Sequence, residues 1–308
     1  MKPVHVVTPL WHSPAMSAAA GLPVFLKMEA LQPVGSFKAR GMGAACRASY
    51  DAGVSHVVCA SGGNAGYAVA YAGHQLGLEV TIVVPQTTSA RARDLILGEG
   101  ATLIVHGESW DDAHSYAVEL ARQEKGDCIH PFDDPRVWSG HSSIITEIVE
   151  AGIKPGVLVV SVGGGGLLCG LLQGLHAVGW SDVPVLAVET EGAASLASSV
   201  RAGRLVTLDK ISSVATSLGA RRVAPRALEW TRDHPITPWV VTDREAVDAC
   251  LRFADDHRVL VEPACGAALS TGYNRAPALE GRGPVVIIVC GGAGVTRQLM
   301  EKWSQEVQ

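Results

Sequence analysis

The sequence predicts an α/β protein built on open, twisted, mostly parallel β-sheets in two domains. Short β-branched runs alternate with helical patterns along nearly all of its 308 residues. Strand–helix–strand repeats of this length are typical of parallel sheets with helices on their faces. The segment 156–162 is a continuous apolar strand that leads through glycines into an apolar helix. A length of 308 residues fits two domains or one large unit.

A first series of these repeats predicts a small α/β domain at residues 43–132. Within it, strands alternate with helices at regular spacing. The strands are expected at 54–60, 78–85, 101–107 and 128–132, and the helices at 64–77, 90–100 and 109–126.

Residues 1–42 and 133–308 are expected to form a larger α/β domain. The range 195–238 predicts only short helices and loops. No linker separates the two series, so we expect the domains to share chain segments. The clearer elements are strands near 156–162, 183–192, 237–243 and 283–294, and helices near 166–180, 244–257, 262–276 and the C-terminus.

Composition excludes several classes of function. Charged residues make up 18% of the chain, the net charge is −5 and no long basic run occurs. This argues against nucleic acid or an anionic membrane as a partner. No apolar run approaches the roughly 20 residues of a membrane span, and the N-terminus lacks the pattern of a signal peptide. We expect a cytoplasmic protein.

The seven cysteines are scattered and include no C-x-x-C pair. This favours reduced, mostly buried thiols over a disulfide framework or a zinc site. The histidines likewise lack the spacing of metal ligands. His141 is interpreted as a structural residue at a helix start.

The segment SVGGGG, Ser161–Gly166, follows the apolar strand and precedes an apolar helix. Backbone N–H groups of such a loop, together with the helix N-terminus, suit a phosphate group. Leu167 and Leu168 follow the glycines where a Walker loop requires Lys and Ser or Thr, so a nucleotide triphosphatase is not favoured. For a dinucleotide-binding site, the only supporting feature would be the acidic residue Glu189 at the end of the next strand. A tight turn without a ligand remains the alternative.

The segment SGGNAG is a second glycine loop between a strand and a helix. Its N–H groups and the hydroxyl of Ser61 could hold a carboxylate, and Asn64 could hydrogen-bond a ligand. The alternative is that Asn64 only caps the helix.

Lys38, in GSFKARG, is the candidate nucleophile. Ser36 could cap a helix there, which would place Lys38 in its first turn. A reactive lysine together with a phosphate loop is what pyridoxal phosphate requires. Cys290 follows an apolar strand and lies where ligands of open α/β sheets gather. It could be a small core residue or a ligand partner.

Several motifs together resemble the fold-type II pyridoxal-phosphate enzymes, and within them the catabolic L-serine/L-threonine dehydratases. The resemblance covers almost the whole chain, and the motifs occur in the family's order. They are GSFKARG, SGGNAG, PFDDPRVWSGH, SVGGGGLLCG, ETEGAASL, LVEPACGAAL and VCGG.

The resemblance implies a site between the two domains, with a role for each matching residue. Lys38 would form the Schiff base and act as the catalytic base, and Phe37 would lie against the cofactor ring. Asn64 would bond the ring hydroxyl oxygen, and Cys290 would face the ring nitrogen. The phosphate would be held by Gly163, Gly164, Gly165, Gly166 and Leu167. The substrate carboxylate would be held by Ser61, Gly62, Gly63, Asn64 and Ala65. A monovalent cation such as K⁺ would be held by Gly163, Glu189, Ala193, Leu218 and Ala220.

The resemblance further implies β-elimination of L-serine to pyruvate and ammonia, and of L-threonine to 2-oxobutanoate and ammonia. It also implies a homodimer and a place in amino-acid catabolism and gluconeogenesis. Gly62 replaces the serine that acts as the second base in related racemases, so we expect little racemisation. The chain ends soon after VCGG, so no regulatory domain is expected. The alternatives are another β-eliminase, a β-replacement enzyme similar to O-acetylserine sulfhydrylase, and a non-catalytic phosphometabolite-binding protein.

Overall fold

The computed structural model describes residues 2–307, which contain ten β-strands and twelve α-helices. The strands are β1 Leu10–His12, β2 Val24–Lys27, β3 His56–Ala60, β4 Glu79–Val84, β5 Thr102–Val105, β6 Asp127–Cys128, β7 Val157–Ser161, β8 Val185–Thr190, β9 Ile236–Val241 and β10 Val285–Ile288. The helices are α1 Pro14–Ala20, α2 Lys38–Asp51, α3 Asn64–Leu76, α4 Ala90–Gly98, α5 Trp110–Gln123, α6 Pro135–Glu150, α7 Gly166–Ala177, α8 Ser195–Ala202, α9 Pro225–Asp233, α10 Asp243–His257, α11 Pro263–Tyr273 and α12 Arg297–Glu306.

These elements form two compact units, each discontinuous in sequence. The first contains the residues up to Val6 together with Gln32–His141. The second contains Val7–Leu31 and the residues from Ser142 onward. The small domain expected at 43–132 lies within the first unit, which also includes 32–42 and 133–141. The added residues contain the start of α2, which lies wholly in this unit, and the first part of α6.

The first unit is built on a four-stranded parallel sheet in the order β5-β4-β3-β6. Every residue of β3 is buried, which matches its apolar sequence. Helix α5 begins with a capping box in which Ser109 and Asp112 bond each other's backbone N–H groups. The core between the sheet and α2 and α3 consists largely of small and branched side chains, among them Ala39, Met42, Val57, Val69 and Ile82.

The second unit is built on a six-stranded sheet in the order β1-β2-β10-β7-β8-β9. Only the edge strand β1 is antiparallel to its neighbour. The central strands β10, β7 and β8 are buried along their whole length. Their carboxyl ends lead into the loop of Cys290, the glycine loop and the loop after Glu189. This edge of the sheet therefore carries the second unit's candidate site residues.

The predicted mostly parallel α/β class is confirmed. The strands predicted at 54–60, 78–85 and 101–107 are present in shortened form, whereas the strand predicted at 128–132 is wrong in position, since β6 is Asp127–Cys128 and shares only Cys128 with it. The range 195–238 contains the short helices α8 and α9 and a 3₁₀ turn at Thr216–Leu218, as predicted. The sequence analysis did not predict the two strands β1 and β2. Across residues 2–307, no helix combines the length and the apolar character of a membrane span.

Candidate active site

Lys38 is the first residue of α2, and its side chain is half-buried. Its Nζ donates a 2.5 Å hydrogen bond to the carbonyl oxygen of Pro131. The same Nζ lies 5.2 Å from the centroid of the Phe37 ring. Lys38 thus lies in the first turn, as predicted, but the predicted cap is wrong. Phe37 has helical φ and ψ, and the buried hydroxyl of Ser36 has no hydrogen-bond partner.

Two imidazoles in the first unit, the half-buried His130 and the buried His141, interact electrostatically with Lys38. Burial, together with the charges of His114 and Lys38, lowers the pKa of His130 to about 4. Its Nδ1 accepts hydrogen bonds from the backbone N–H groups of Phe132 and Asp133, at 3.2 and 2.8 Å. Burial also lowers the pKa of His141, and Lys38 adds to that shift. Both rings are therefore neutral at neutral pH.

The loop Ser61–Ala65 joins β3 to α3. Gly63 is the N-cap in an extended conformation, and Asn64 is the first helical residue. The alternative of Asn64 as an ordinary N-cap is therefore wrong. Ser61 Oγ accepts a 3.3 Å hydrogen bond from the N–H of Gly63. The loop thus leads into the N-terminus of a 13-residue helix with no acidic residue in its first turn, which is an arrangement that favours anions.

Gly62 lies directly against Thr88. A Cβ at position 62 would overlap Thr88 Oγ1 and would lie 2.7 Å from its Cγ2. Atoms cannot approach this closely, so a larger residue would displace either the loop or Thr88. This contact could not be predicted from the local sequence, because Thr88 lies beyond the next strand.

The predicted phosphate loop lies in the second unit between β7 and α7. Gly165 is the N-cap with φ of +87°, a left-handed conformation that favours glycine. A Cβ at Gly163 would lie 2.9 Å from the Cα of Leu218, and one at Gly165 would lie 2.6 Å from the Cβ of Ala227. The first turn of α7 has no acidic side chain. A backbone held this close to its neighbours, at the start of a 12-residue helix, fits a phosphate group.

Cys290 follows β10 by two residues and is 5% exposed. The neighbouring thiol of Cys265 and burial both raise the pKa of Cys290 well above its ordinary value. Cys290 is thus an uncharged thiol at neutral pH. Such a group fits beside a pyridine nitrogen that carries no fixed positive charge.

Glu189, on β8, is fully buried. Its two carboxylate oxygens accept hydrogen bonds from the N–H groups of Leu196 and Ala197, each at 2.8 Å. Burial raises its pKa to about 7, although these two bonds lower it. A buried carboxylate in this state would be stabilised in its charged form by a nearby cation.

The other residues predicted for the cation site would contribute backbone carbonyls. Residues Gly163 and Leu218 are in close contact, as described above. The N–H of Ala220 donates a 2.8 Å bond to the carbonyl of Leu218, and that of Ala193 donates a 3.0 Å bond to Thr190. Within residues 2–307 no three His, Cys, Asp or Glu side chains are grouped as metal ligands.

The residues with predicted roles thus form two sets. The first unit holds Lys38, Phe37 and the loop Ser61–Ala65. The second unit holds Gly163–Leu167, Cys290 and the residues around Glu189. The sequence analysis missed His130, the carbonyl of Pro131, Thr88 and Cys265. Pro131 lies near the end of the strand predicted at 128–132. Loops at strand ends commonly carry site residues, so this position was the signal that could have indicated Pro131.

The chain belongs to the pyridoxal-phosphate dependent enzymes, because the model of that family matches residues 1–291. It is therefore an enzyme of a class whose cofactor is pyridoxal phosphate, and the glycine loop and neutral Cys290 fit that cofactor.

Individual relatives indicate which enzymes of this family the chain is similar to. Human L-serine dehydratase/L-threonine deaminase is 50% identical over 305 residues, covering 96% of this chain and 93% of the relative. Mouse serine dehydratase-like protein is 49% identical, covering 98% and 94%. The structure of a fungal L-serine ammonia-lyase from Rhizomucor miehei aligns with a TM-score of 0.93 at 39% identity, covering all of both chains. The predicted resemblance to fold-type II serine/threonine dehydratases is confirmed.

Proposed function

We propose that this chain is a pyridoxal-phosphate-dependent L-serine/L-threonine dehydratase. It converts L-serine to pyruvate and ammonia, and L-threonine to 2-oxobutanoate and ammonia. The observation that carries the proposal is about 50% identity, over nearly the whole chain, to enzymes named for these two substrates. The position of Lys38 at the start of α2 supports it.

Lys38 is proposed to bind the cofactor covalently through Nζ and then to serve as the general base. When bound, pyridoxal phosphate supplies an electron sink that makes the substrate Cα–H bond acidic. Nζ accepts the Cα proton once it is uncharged. The Pro131 carbonyl supports this role because it fixes the direction of Nζ by a hydrogen bond. The neutral imidazoles of His130 and His141 add no positive charge beside it.

The remaining contacts are proposed to hold and orient the cofactor. Phe37 offers a ring face, and Asn64 offers an amide at the start of α3. The backbone N–H groups of Gly163–Leu167 would hold the phosphate. Cys290, as a neutral thiol, would face the ring nitrogen and would not hold a proton there as strongly as a carboxylate does. A weaker electron sink favours fast loss of the β-hydroxyl over transamination.

The loop Ser61–Ala65 is proposed to bind the substrate carboxylate. The start of α3 supplies N–H groups and a positive dipole end, and Ser61 supplies a hydroxyl. Gly62 carries no side chain that could donate a proton to the opposite face of the substrate. This supports elimination over racemisation.

A monovalent cation such as K⁺ is proposed beside Glu189, with carbonyls near Gly163, Ala193, Leu218 and Ala220 as further ligands. The supporting observation is that burial raises the pKa of Glu189 to about 7. A cation would hold this carboxylate ionised and thereby fix the loop that follows β8. It would also tie the Leu218 turn to the glycine loop.

We further propose that the protein is a cytoplasmic homodimer that acts in amino-acid catabolism and gluconeogenesis, with a small domain at 43–132 and a large domain formed by the remainder. The proposal follows the family resemblance. Light scattering of the purified protein would test the dimer, since a monomer at working concentration would contradict it.

The decisive experiment is release of pyruvate from L-serine and of 2-oxobutanoate from L-threonine, with Lys38→Ala and Lys38→Arg alongside. Lys38→Arg keeps a cation beside the Phe37 ring but cannot form the covalent bond to the cofactor. It therefore distinguishes the effect of losing the positive charge from the effect of losing the covalent bond. The visible absorption of the bound cofactor is recorded first. A yellow, active wild type beside two inactive variants without the visible band is expected.

Other outcomes would favour the alternatives. A yellow protein that is inert to both amino acids, but converts O-acetylserine and sulfide to cysteine, would replace elimination by β-replacement. A wild type that stays colourless with added pyridoxal phosphate would favour a non-catalytic phosphometabolite-binding protein.

A further inference from the structure

Nζ of Lys38 donates a hydrogen bond to a segment of the first unit that belongs to no helix or strand. This segment, residues 130–133, which we call the Pro131 turn, lies between β6, which ends at Cys128, and α6, which begins at Pro135. Proline has no N–H group and cannot anchor itself by donating a hydrogen bond. The direction of the Pro131 carbonyl must therefore be fixed by the residues around it.

The side chain of His130 closes this turn. Its Nδ1 accepts hydrogen bonds from the N–H groups of Phe132 and Asp133, at 3.2 and 2.8 Å. These are the two residues that directly follow Pro131, so one ring nitrogen holds the backbone on which the Pro131 carbonyl depends. Nε1 of Trp138 donates a further bond of 2.6 Å to the carbonyl of Phe132. The turn is thus held by side chains in the absence of a sheet or helix.

Aromatic packing holds the ring of His130 in place. The ring lies edge-on against that of Phe132, with centroids 4.5 Å apart and planes inclined by 89°, and against Trp110 at 5.7 Å and 74°. Nε1 of Trp110 donates a 2.8 Å hydrogen bond to the carbonyl of Ala60, the last residue of β3. The loop Ser61–Ala65 begins directly after it. The ring that closes the turn is therefore packed on the side chain that anchors the start of the proposed carboxylate loop.

The charge state of His130 agrees with its role as an acceptor. A neutral imidazole has one N–H and one acceptor nitrogen, whereas the protonated ring has two donors and no acceptor. Because Nδ1 accepts, the hydrogen is on Nε2. The ionisable groups that face the ring are His114 on α5, Lys38 on α2 and Asp134 before α6. Burial and the first two lower the pKa of His130 to about 4, and Asp134 acts in the opposite direction. The acceptor is therefore present at neutral pH.

The bond to Pro131 constrains the amine of Lys38. An uncharged amine has two hydrogens and one lone pair, and the lone pair accepts the proton. Nζ ends a flexible stem of four carbons, so its direction depends on what it binds. The 2.5 Å bond to the Pro131 carbonyl uses one hydrogen and thereby limits the directions open to the lone pair. A relaxed turn would release Nζ from this constraint.

We propose that His130 is a positioning residue for Lys38: its Nδ1 accepts the N–H groups of Phe132 and Asp133 and thereby holds the Pro131 carbonyl against Nζ. The inference rests on the proposed function of Lys38 as the general base. It extends that function by naming a residue that acts through the Pro131 turn and not on the reacting atoms.

The test compares His130→Phe, His130→Asn and the matched control His114→Phe. Phenylalanine at position 130 keeps a ring in the cluster but removes the acceptor. Asparagine loses the ring but can place Oδ1, an acceptor, where Nδ1 lies. His114 is a half-buried histidine whose ring centroid lies 5.0 Å from that of His130, and its buried Nδ1 has no hydrogen-bond partner. His114→Phe therefore removes an imidazole from the same cluster without removing an acceptor from the turn.

In the enzyme loaded with pyridoxal phosphate, His130→Phe should lower kcat for L-serine about 10- to 100-fold and change KM less than about threefold, because a misplaced base slows the chemical step. The ratio of rates with L-serine and with L-serine deuterated at Cα should rise, because removal of this hydrogen becomes slower. A simple loss of folded protein would leave that ratio unchanged. His130→Asn should restore kcat and the ratio, and His114→Phe should change neither.

Two measurements on the cofactor-free chain test the inference independently of turnover. NMR of the ¹⁵N-labelled ring should show the hydrogen of His130 on Nε2 at neutral pH. Reductive methylation of Lys38 by formaldehyde and cyanoborohydride, followed by mass spectrometry, should be about three- to tenfold faster in His130→Phe. The carbonyl favours the ammonium form by accepting its hydrogen bond, so its loss leaves more of the reactive free amine. His130→Asn and His114→Phe should react like wild type.

A hydrogen on Nδ1 of His130 in wild type would overturn the inference. So would equal behaviour of His130→Phe and His114→Phe, or a His130→Asn variant that behaves like His130→Phe, since the acceptor would then not be the cause. A wild type that forms the visible band but does not turn over L-serine would instead contradict the proposed function of Lys38. The ring NMR and the methylation rates would still decide the role of His130.

Discussion

The imidazole of His141 packs on the ring of Phe37, with ring centroids 4.9 Å apart and planes inclined by 53°. Both ring nitrogens of His141 are buried without a hydrogen-bond partner. A Cβ at Gly41 would lie 2.5 Å from the imidazole Cε1, so the absence of a side chain in α2 makes room for the ring. Phe37 directly precedes Lys38. The imidazole of His141, which packs beside the residue preceding the proposed catalytic lysine, is therefore held by packing contacts and not by hydrogen bonds.

We expect His141→Phe to leave the protein as stable as wild type or to stabilise it by roughly 1 kcal/mol. Phenylalanine keeps the ring contact and removes two unpartnered polar atoms, each of which costs about 1–3 kcal/mol when buried. The variant should also lose acid sensitivity below pH 6.5. The pKa of His141 is lowered in the folded state, so protonation in the unfolded state destabilises wild type as the pH falls. Urea unfolding at pH 5 and pH 7.5 measures both effects.

His141→Ala is the control for that prediction. It removes the ring contact as well as the nitrogens, and a cavity of this kind typically costs 2 kcal/mol or more. If His141→Phe were as unstable as His141→Ala, the prediction would be wrong, because the ring nitrogens of His141 would then make stabilising hydrogen bonds.

Gly62→Ser should slow dehydration of L-serine at least about tenfold and should produce little D-serine. The added Cβ would overlap Thr88, so the loop that is proposed to bind the carboxylate must shift before the hydroxyl can act as a base. Pyruvate and D-serine are measured together. Adding Thr88→Ala should restore part of the activity, and failure to do so would place the cause outside this contact.

Gly163→Ala should raise the dissociation constant for pyridoxal phosphate by about tenfold or more. A Cβ at position 163 would lie 2.9 Å from Leu218 Cα and 3.1 Å from the Ser217 carbonyl oxygen, so backbone must move to admit it. Displaced N–H groups would lose hydrogen bonds to the phosphate, each worth about 1.5–3 kcal/mol with a charged acceptor. Fluorescence titration measures the affinity. Gly98→Ala, where no atom lies within 4 Å of the added Cβ, should bind like wild type.

Without K⁺, the cofactor-free protein should lose stability as the pH rises from about 4.5 to about 7. The pKa of Glu189 is raised from 4.5 to about 7 in the folded state, so the folded protein binds the extra proton in this window. Stability therefore falls with rising pH, by on the order of 3 kcal/mol. Thermal unfolding between pH 5 and pH 8 measures the trend.

Addition of K⁺ should reverse most of that loss at pH 8 and have little effect at pH 5, because the cation competes with the proton. Glu189→Gln carries no titratable group and should show neither the decline nor the response to K⁺. If Glu189→Gln followed wild type in both respects, the pH dependence would belong to other groups.

Local sequence was sufficient to predict the alternating elements and the two glycine loops. The strand at β3, the helix at α3 and the loop between them follow from β-branched runs, glycines and helical spacing within a few residues. The caps were less predictable. Ser36 and Asn64 have the side chains of N-caps, but Phe37 and Gly63 take those positions. Burial of Ser36 and the extended conformation of Gly63 are set by the surrounding fold, which outweighs local preference.

The class of fold and the chemistry available at the loops follow from the sequence alone, because periodicity, glycine and a reactive lysine are properties of short segments. Which side chains meet is set by the folded chain. Strand β2 pairs with β10 in the register Val24↔Val285, and Gly62 lies against Thr88. The physical reason is that apolar burial fixes long-range neighbours, whereas a local pattern constrains only the residues within it.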